Sequence, residues 1–384
     1  SGALPKAPDV GGLRAGIWEE MPLLHQLSGG EAIDMEYTIS SGIHTLSFSR
    51  TLTGKAYHEI LRAARKAGML VESQDDYFSD SSTHTLLGLQ KRGIVIYLSR
   101  PKRAVYMLKL RIEPERLLGN TDAQALWQCK KGEWKRLVKS IDVLLQPLYI
   151  PSLADMKLSI MELTVNLSFS EQRYVDEYLG ILKNGCVNAH YRRVYFDKCS
   201  GKAKNAAGAN RHSYKVTCKQ KSLFVYDKTA QLLMTERIAK LPDHRTLRIE
   251  VSLRREAIKK EFGKGCTVKE CLEKGSKNAQ KIVRKFLKRL LLSEGQYYPY
   301  DEAMELVQQF KTEKTRQRAA LLIQLCSRKK SLDQAIRAMR TEHGVKRSPV
   351  ERVIRKMEKI GLSPLTIPIR RHARPLPSLL SLLD

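Results

Sequence analysis

No apolar run in this chain approaches the length of a membrane-spanning helix, so no membrane partner is expected. A glycine-rich phosphate loop, a dinucleotide fingerprint and a paired Cys-x-x-Cys are all missing, which argues against nucleotide hydrolysis, nicotinamide or flavin chemistry, and a zinc-finger scaffold. Cysteines are few, 7 at irregular spacings, and an odd number points to reduced thiols in a cytoplasmic protein. Cys186, His190, Cys199 and His212 lie close together, but their spacing fits no standard finger. The opening Ser1-Gly2-Ala3 has neither a methionine nor an apolar leader and reads as an expression scar. Acids are also scarce, with Asp+Glu 40 against Lys+Arg 68.

That imbalance leaves a formal net charge of +28 and a pI near 9.8, as in proteins that neutralise phosphates. Nucleic acid is the expected partner, with DNA favoured and RNA open; anionic membranes and acidic proteins are the other readings of a basic chain. The 384 residues, 42% hydrophobic and 28% charged, suit a soluble globular protein of two or three domains. From Val251 onward there are 31 Lys and Arg against 14 Asp and Glu, so the last third carries most of the excess.

A pattern occurs twice. Leu46-Ser47-Phe48-Ser49, Ile94-Val95-Ile96-Tyr97 and Leu110-Arg111-Ile112-Glu113 are followed later by Leu167-Ser168-Phe169-Ser170, Leu223-Phe224-Val225-Tyr226 and Leu247-Arg248-Ile249-Glu250. Alternation predicts strands at 43–49, 93–99, 104–113, 158–169, 193–197, 213–218, 222–228 and 246–253. Helical spacing predicts helices at 54–68, 122–145, from 170 to near 185, and at 229–239, with an exposed polar loop at 201–210. The expected fold is α+β: two related ferredoxin-like (βαββαβ) halves, at 41–150 and 151–262, behind an arm at 1–40. In the first half Tyr97 is followed by Leu98-Ser99 and Glu113 by Pro114, so that half reads as scaffold.

The remainder is helical. A basic connector at 263–300 sets Ala279, Ile282, Val283, Phe286, Leu287, Leu290 and Leu291 on one stripe and Lys277, Lys281, Arg284, Lys285, Lys288 and Arg289 on the other. Six like charges repel, and a polyanion would relieve them. Residues 301–384 read as a helix-turn-helix-like unit, with capping boxes at Ser331 and Ser348 and stops at Gly344 and Gly361. Arg352, Arg355, Lys356 and Lys359 decorate its last helix, which is either a recognition helix or part of a packing domain.

Chemistry is concentrated in the second half. Tyr226 stands between Lys221 and Lys228 at a strand end. A phenol is a poor nucleophile at its ordinary pKa, so attack on phosphate needs those cations or a divalent ion. Alternation puts Arg248, Glu250 and Ser252 on one face of their strand, and Glu162, Thr164 and Asn166 on one face of theirs. Further phosphate contacts are expected from Arg192, Arg193, Lys215, Lys219, Lys221, Arg248 and Arg254, together with the basic helices.

Tyr-Asp-Lys at a strand end, an Arg-x-Glu strand and the preceding Glu162 strand resemble the rolling-circle replication initiators of plasmids and the gene II endonucleases of filamentous phages, over about residues 157–255. The resemblance implies that Tyr226 attacks one DNA phosphodiester and keeps the 5′ phosphate, freeing a 3′ hydroxyl. It also implies a Mg²⁺ or Mn²⁺ held by Glu162, Asn166 and Glu250. Asn166 stands where such initiators usually have an aspartate, and Phe224 where they have an arginine; no His-hydrophobic-His pair is present. The alternative is a non-catalytic protein on the same fold that binds RNA or a nucleoprotein complex.

Overall fold

The alternating segments assemble into one antiparallel sheet in the computed structural model, which describes residues 35–76, 81–102, 104–187, 190–194, 212–235, 241–367 and 374–384. Its strands are β1 (Tyr37–Leu52), β2 (Leu70–Asp76), β3 (Ser81–Leu87), β4 (Ile94–Lys102), β5 (Val105–Ile112), β6 (Lys157–Phe169), β7 (Arg192–Arg193), β8 (Ser213–Thr217), β9 (Lys221–Asp227) and β10 (Arg245–Arg254). They lie in the order β2-β3-β4-β5-β1-β6-β10-β9-β8-β7. Each half therefore runs first-fifth-fourth-third-second, and the halves join through their first strands, β1 and β6. The arm foreseen at 1–40 ends earlier than expected, because Tyr37–Ser40 already pair with β6. Residues 1–34, Cys199 and the loop at 201–210 lie outside the described residues.

The halves depart from βαββαβ. Among the described residues each has five strands, and no α-helix separates the later strands of the first half. The repeated tetrapeptides occupy equivalent strands but meet at different registers. Leu46 pairs with Ile112, whereas Leu167 pairs with Leu247, a difference of two residues that keeps every side chain on its face.

The helices are α1 (Gly54–Lys66), α2 (Pro114–Leu117), α3 (Glu133–Leu145), α4 (Gln172–Lys183), α5 (Lys228–Met234), α6 (Arg255–Phe262), α7 (Val268–Lys277), α8 (Ala279–Leu291), α9 (Tyr300–Val307), α10 (Glu313–Lys329), α11 (Leu332–Thr341) and α12 (Arg347–Lys359). One face of the sheet is apolar and carries the core. Phe48 stacks on Trp134 of α3, Phe169 stacks on Tyr178 of α4, and Gly275 of α7 lies against Met161. Each fully buried aliphatic or aromatic side chain there contributes about 1.5–3 kcal/mol. Residues 35–384 form one compact unit, within which the boundaries foreseen at 150, 262 and 300 fall.

The helix expected at 122–145 begins only at Glu133. Its first half is claimed by the sheet: the Ile43 and Trp127 backbones exchange hydrogen bonds of 2.9 and 3.0 Å. Near the C-terminus Ser331 caps α11, as expected, and Gly344 and Gly361 take positive φ. The Ser348 capping box does not form, because α12 starts two residues earlier than expected, behind Lys346.

Gly295 is required by a close backbone approach. Gln296 donates to the Gly361 carbonyl at 2.7 Å, and a Cβ on Gly295 would sit 2.6 Å from the Ser363 amide nitrogen. Gly295→Ala is expected to lower unfolding free energy by about 1–3 kcal/mol in urea titrations, because neither backbone can give way.

Candidate metal centre

The other face of the sheet is polar, and paired residues lay it out in rows. Asn166, Arg248 and Tyr226 form one row, Thr164, Glu250 and Phe224 the next, and Thr45, Glu162, Ser252 and Ser222 the third. The alternation that placed Glu162 and Glu250 facing out of their strands thus brings them to adjacent rows of adjacent strands.

A third side chain of metal-ligating type comes from an irregularity. Ile43 pairs with Leu163 and Thr45 with Glu162, so His44 is an extra residue on β1, a β-bulge that turns its ring onto the polar face. His44 Nδ1 lies 3.4 Å from Glu250 Oε1 and 3.8 Å from Glu162 Oε2. One ligand atom from each of His44, Glu162 and Glu250 lies within 4.8 Å of the others, the spacing of a shared cation. The side chains are recessed but reachable, at 17%, 20% and 6% exposure.

Electrostatics keep these donors ready for an ion. Burial lowers the His44 pKa, and Arg248 adds to this, against the pull of Glu162 and Glu250, so the ring is neutral at neutral pH. Burial pushes the Glu162 carboxyl up, as does Glu250, but the His44 ring and Arg111 outweigh them and hold it below the ordinary range. Ser252 donates to Glu162 Oε1 at 3.2 Å and fixes its rotamer.

Around this centre the remaining expected residues fall into place unevenly. Tyr226 donates to Glu250 Oε1 at 2.7 Å and is only 1% exposed. Burial, then the Glu250 charge, push its pKa well above the ordinary value, with Arg248 pulling the other way. Lys228 is buried at the start of α5, with its ammonium on Gln231 at 2.9 Å. Asn166, expected as a ligand, has its acceptor oxygen on Arg248 Nε at 2.7 Å, and its amide donates to the Gln124 carbonyl at 2.9 Å. His44, not Asn166, is the side chain that groups with Glu162 and Glu250.

Arg248, expected at a phosphate, is fully buried and donates from Nη2 to the same Gln124 carbonyl at 2.8 Å. Two polar atoms on this face are buried without a hydrogen-bond partner, Thr164 Oγ1 and Arg248 Nη1. A scan against protein-family models and a comparison with curated proteins found no match to this chain.

The basic helices lie elsewhere. α8 packs its apolar stripe on the sheet beside α7, so its cations point away from the side that holds His44. Their mutual repulsion is also partly answered within the chain. Arg284 pairs with Glu294 and Asp384, Lys285 with Glu261, and Lys288 with Glu294. Lys277, Lys281 and Arg289 are exposed, as are Arg352, Arg355 and Lys356 of α12, the last donating to Thr315 at 3.1 Å.

On the outer strands Arg192 and Lys219 are exposed, while Arg193 is bound to the Gly185 carbonyl and lies 3.6 Å from Asp333. Lys221 pairs with Glu261 at 3.5 Å, and Lys215 sits over the Phe224 ring at 5.3 Å. Arg254 is exposed on the polar face.

His44 was invisible to a search for histidine pairs, yet the sequence carries a sign of it. Ile43, Leu46 and Phe48 all face the core, and the step of three between the first two breaks a period of two. An apolar residue, two polar ones and another apolar one inside a strand are the trace of a bulge.

Proposed function

We propose that this chain cuts one strand of DNA with the help of a divalent cation held by His44, Glu162 and Glu250. The observation that carries the reading is the convergence of these three side chains on the polar face of the sheet. Two carboxylates and one neutral imidazole suit Mn²⁺, and Mg²⁺ less well. When bound, the ion supplies Lewis-acid polarisation of a phosphate oxygen. The positive charge of the chain supports nucleic acid as partner, and the resemblance to rolling-circle initiators supports DNA.

In this reading the chain's own residues divide the work. His44 and Glu162 present ligand atoms, Ser252 orients Glu162, and Arg248 holds Asn166 in place. Tyr226 attacks phosphorus, its proton passes to Glu250 Oε1, and the bond from phosphorus to the 3′ oxygen breaks. The products are a 5′ phosphate on Tyr226 and a 3′ hydroxyl that takes its proton from water. The burial of Tyr226 favours a second reading, in which its hydroxyl only positions Glu250 and water attacks. We place this activity in the cytoplasm, on the strength of the odd cysteine count. We also read the two halves as diverged copies of a single α+β unit, a kinship that their common strand order supports.

Incubation with supercoiled DNA bearing the native origin and Mn²⁺ tests the function. Wild type is expected to give an open circle with covalently bound protein, and Tyr226→Phe to give neither. An open circle that persists in Tyr226→Phe, with no bound protein from either form, assigns the tyrosine to positioning. Wild type that never nicks but binds RNA or structured nucleic acid tightly overturns the enzyme in favour of a non-catalytic binder.

A further inference from the structure

Beside the metal-centre rows, toward the Lys109 end of β5, the polar face becomes purely cationic. Val95, Arg111, Ser47, Ile160 and Arg254 form the next row, and Tyr97, Lys109, Ser49 and Lys157 the one after it. Four cations and no acid occupy these two rows. None of the four makes an ion pair with any described residue, although many lysines and arginines elsewhere in the chain do. Arg111, Lys157 and Arg254 are exposed, and the half-buried Lys109 lies over the Tyr97 ring at 5.9 Å. Like charges gathered on a sheet raise the folded state's energy, Glu162 and Glu113 answer only part of this at Arg111, and an anion removes the rest. The crowding is felt at Lys109, whose pKa is lowered by burial and further by Arg111 and Arg254.

The spacing suggests which anion. Residues two apart on a strand are separated by about 7 Å, a distance of the same order as that between neighbouring phosphates of an extended nucleic-acid strand. The rows therefore step away from Glu162 at the pitch of a backbone. Tyr97 beside Lys109 and Phe224 beside Lys215 repeat one arrangement, a ring with a cation over it, on the two sides of the centre. Phe224 is buried and Tyr97 half-buried, so Tyr97 with Lys109 is the pair that suits an unpaired base and its phosphate. A duplex is too stiff to lower one phosphate to side chains as recessed as Glu250.

We propose that Lys109, Arg111, Lys157 and Arg254 form a phosphate subsite that holds the backbone of an unpaired strand next to the phosphate at the metal centre. The subsite rests on the functional reading above for its position relative to the cut, but not for its existence. It gives the first half a substrate-binding role in place of the scaffold role that its sequence suggested.

The test is binding of a fluorescent 20-nucleotide oligo(dT) to the full chain in EDTA, followed by anisotropy across a range of salt. Each phosphate contact on a single strand contributes about −0.7 to the slope of log K against log[salt]. Lys109→Ala/Arg111→Ala and, separately, Lys157→Ala/Arg254→Ala are each expected to make the slope shallower by about 1.4. Glu162→Gln/Glu250→Gln is expected to leave it unchanged or steeper. An unchanged slope in both cation variants overturns the subsite, even if wild type binds Mn²⁺ and nicks DNA. A shallower slope in both, from a protein that binds no Mn²⁺, upholds the subsite and removes the metal reading instead. Stronger retention of a duplex of equal length than of oligo(dT) overturns the unpaired strand as occupant.

Discussion

Glu250→Gln is expected to reduce Mn²⁺-dependent strand cleavage by at least about 10³-fold while leaving the fold intact. Glu250 touches both another proposed ligand and the tyrosine. Its Oε1 lies 3.4 Å from His44 Nδ1 and accepts from Tyr226 at 2.7 Å. Glutamine keeps the shape and can still accept from the tyrosine, so packing changes little. It removes the negative charge, and a neutral amide is a weaker ligand for a hard cation. Lewis-acid stabilisation is worth several kcal/mol, and each 1.36 kcal/mol is tenfold in rate. Single-turnover nicking assays at fixed Mn²⁺ read the effect, with urea denaturation as a control for folding. Cleavage within a few-fold of wild type would move the chemistry away from this carboxylate.

The second large effect is structural. Arg248→Met is expected to lower unfolding free energy by about 3–5 kcal/mol, the usual consequence of removing one member of a buried charged network. Arg248 is 0% exposed and bridges Asn166 and the Gln124 carbonyl, tying β10 to β6 and to the segment that crosses the polar face. Methionine fills much of the volume but leaves the Glu250 charge without its nearby cation and the Asn166 oxygen without its donor. Lysine does not rescue this fully, since one ammonium cannot reproduce the planar guanidinium fork. Adding Glu250→Gln to Arg248→Met is expected to recover part of the loss, a coupling that a double-mutant cycle in urea measures. A loss below about 1 kcal/mol for Arg248→Met would show that the network stabilises little.

Much of this arrangement could be read from residues alone, for physical reasons. Period-two alternation told the polar face of β6 and β10 from the apolar one, and so placed Glu162 and Glu250 on one surface. Helical spacing likewise put a single apolar stripe on α8. What it did not carry was register between distant segments. The non-helical start of α3 depends on Trp127 pairing with Ile43 more than eighty residues earlier, and local helical spacing holds no record of that bond.

The missed and misassigned site residues have the same origin. His44 arrives through a bulge, which shows in sequence only as a broken step between Ile43 and Leu46. Arg248 looked like a phosphate ligand because arginines usually are exposed; its burial follows from Asn166 and Gln124 lying across from it. Conversely, the basic face of α8 drew attention by composition, while its acidic partners Glu261, Glu294 and Asp384 come from other segments. The cations that sit next to the centre, Lys109 and Arg111, were hidden in the half whose Tyr97 lacks the Asp-Lys that follows Tyr226 and whose Glu113 runs straight into Pro114.

The central claim is that His44, Glu162 and Glu250 hold one divalent ion. Titration of the full chain with Mn²⁺, followed by the loss of the free-ion electron paramagnetic resonance signal, tests it most directly. One tight site per chain is predicted for wild type, weakened at least about 100-fold in His44→Ala and in Glu162→Gln/Glu250→Gln. No ion taken up by folded wild type, or equal uptake by the variants, would contradict it.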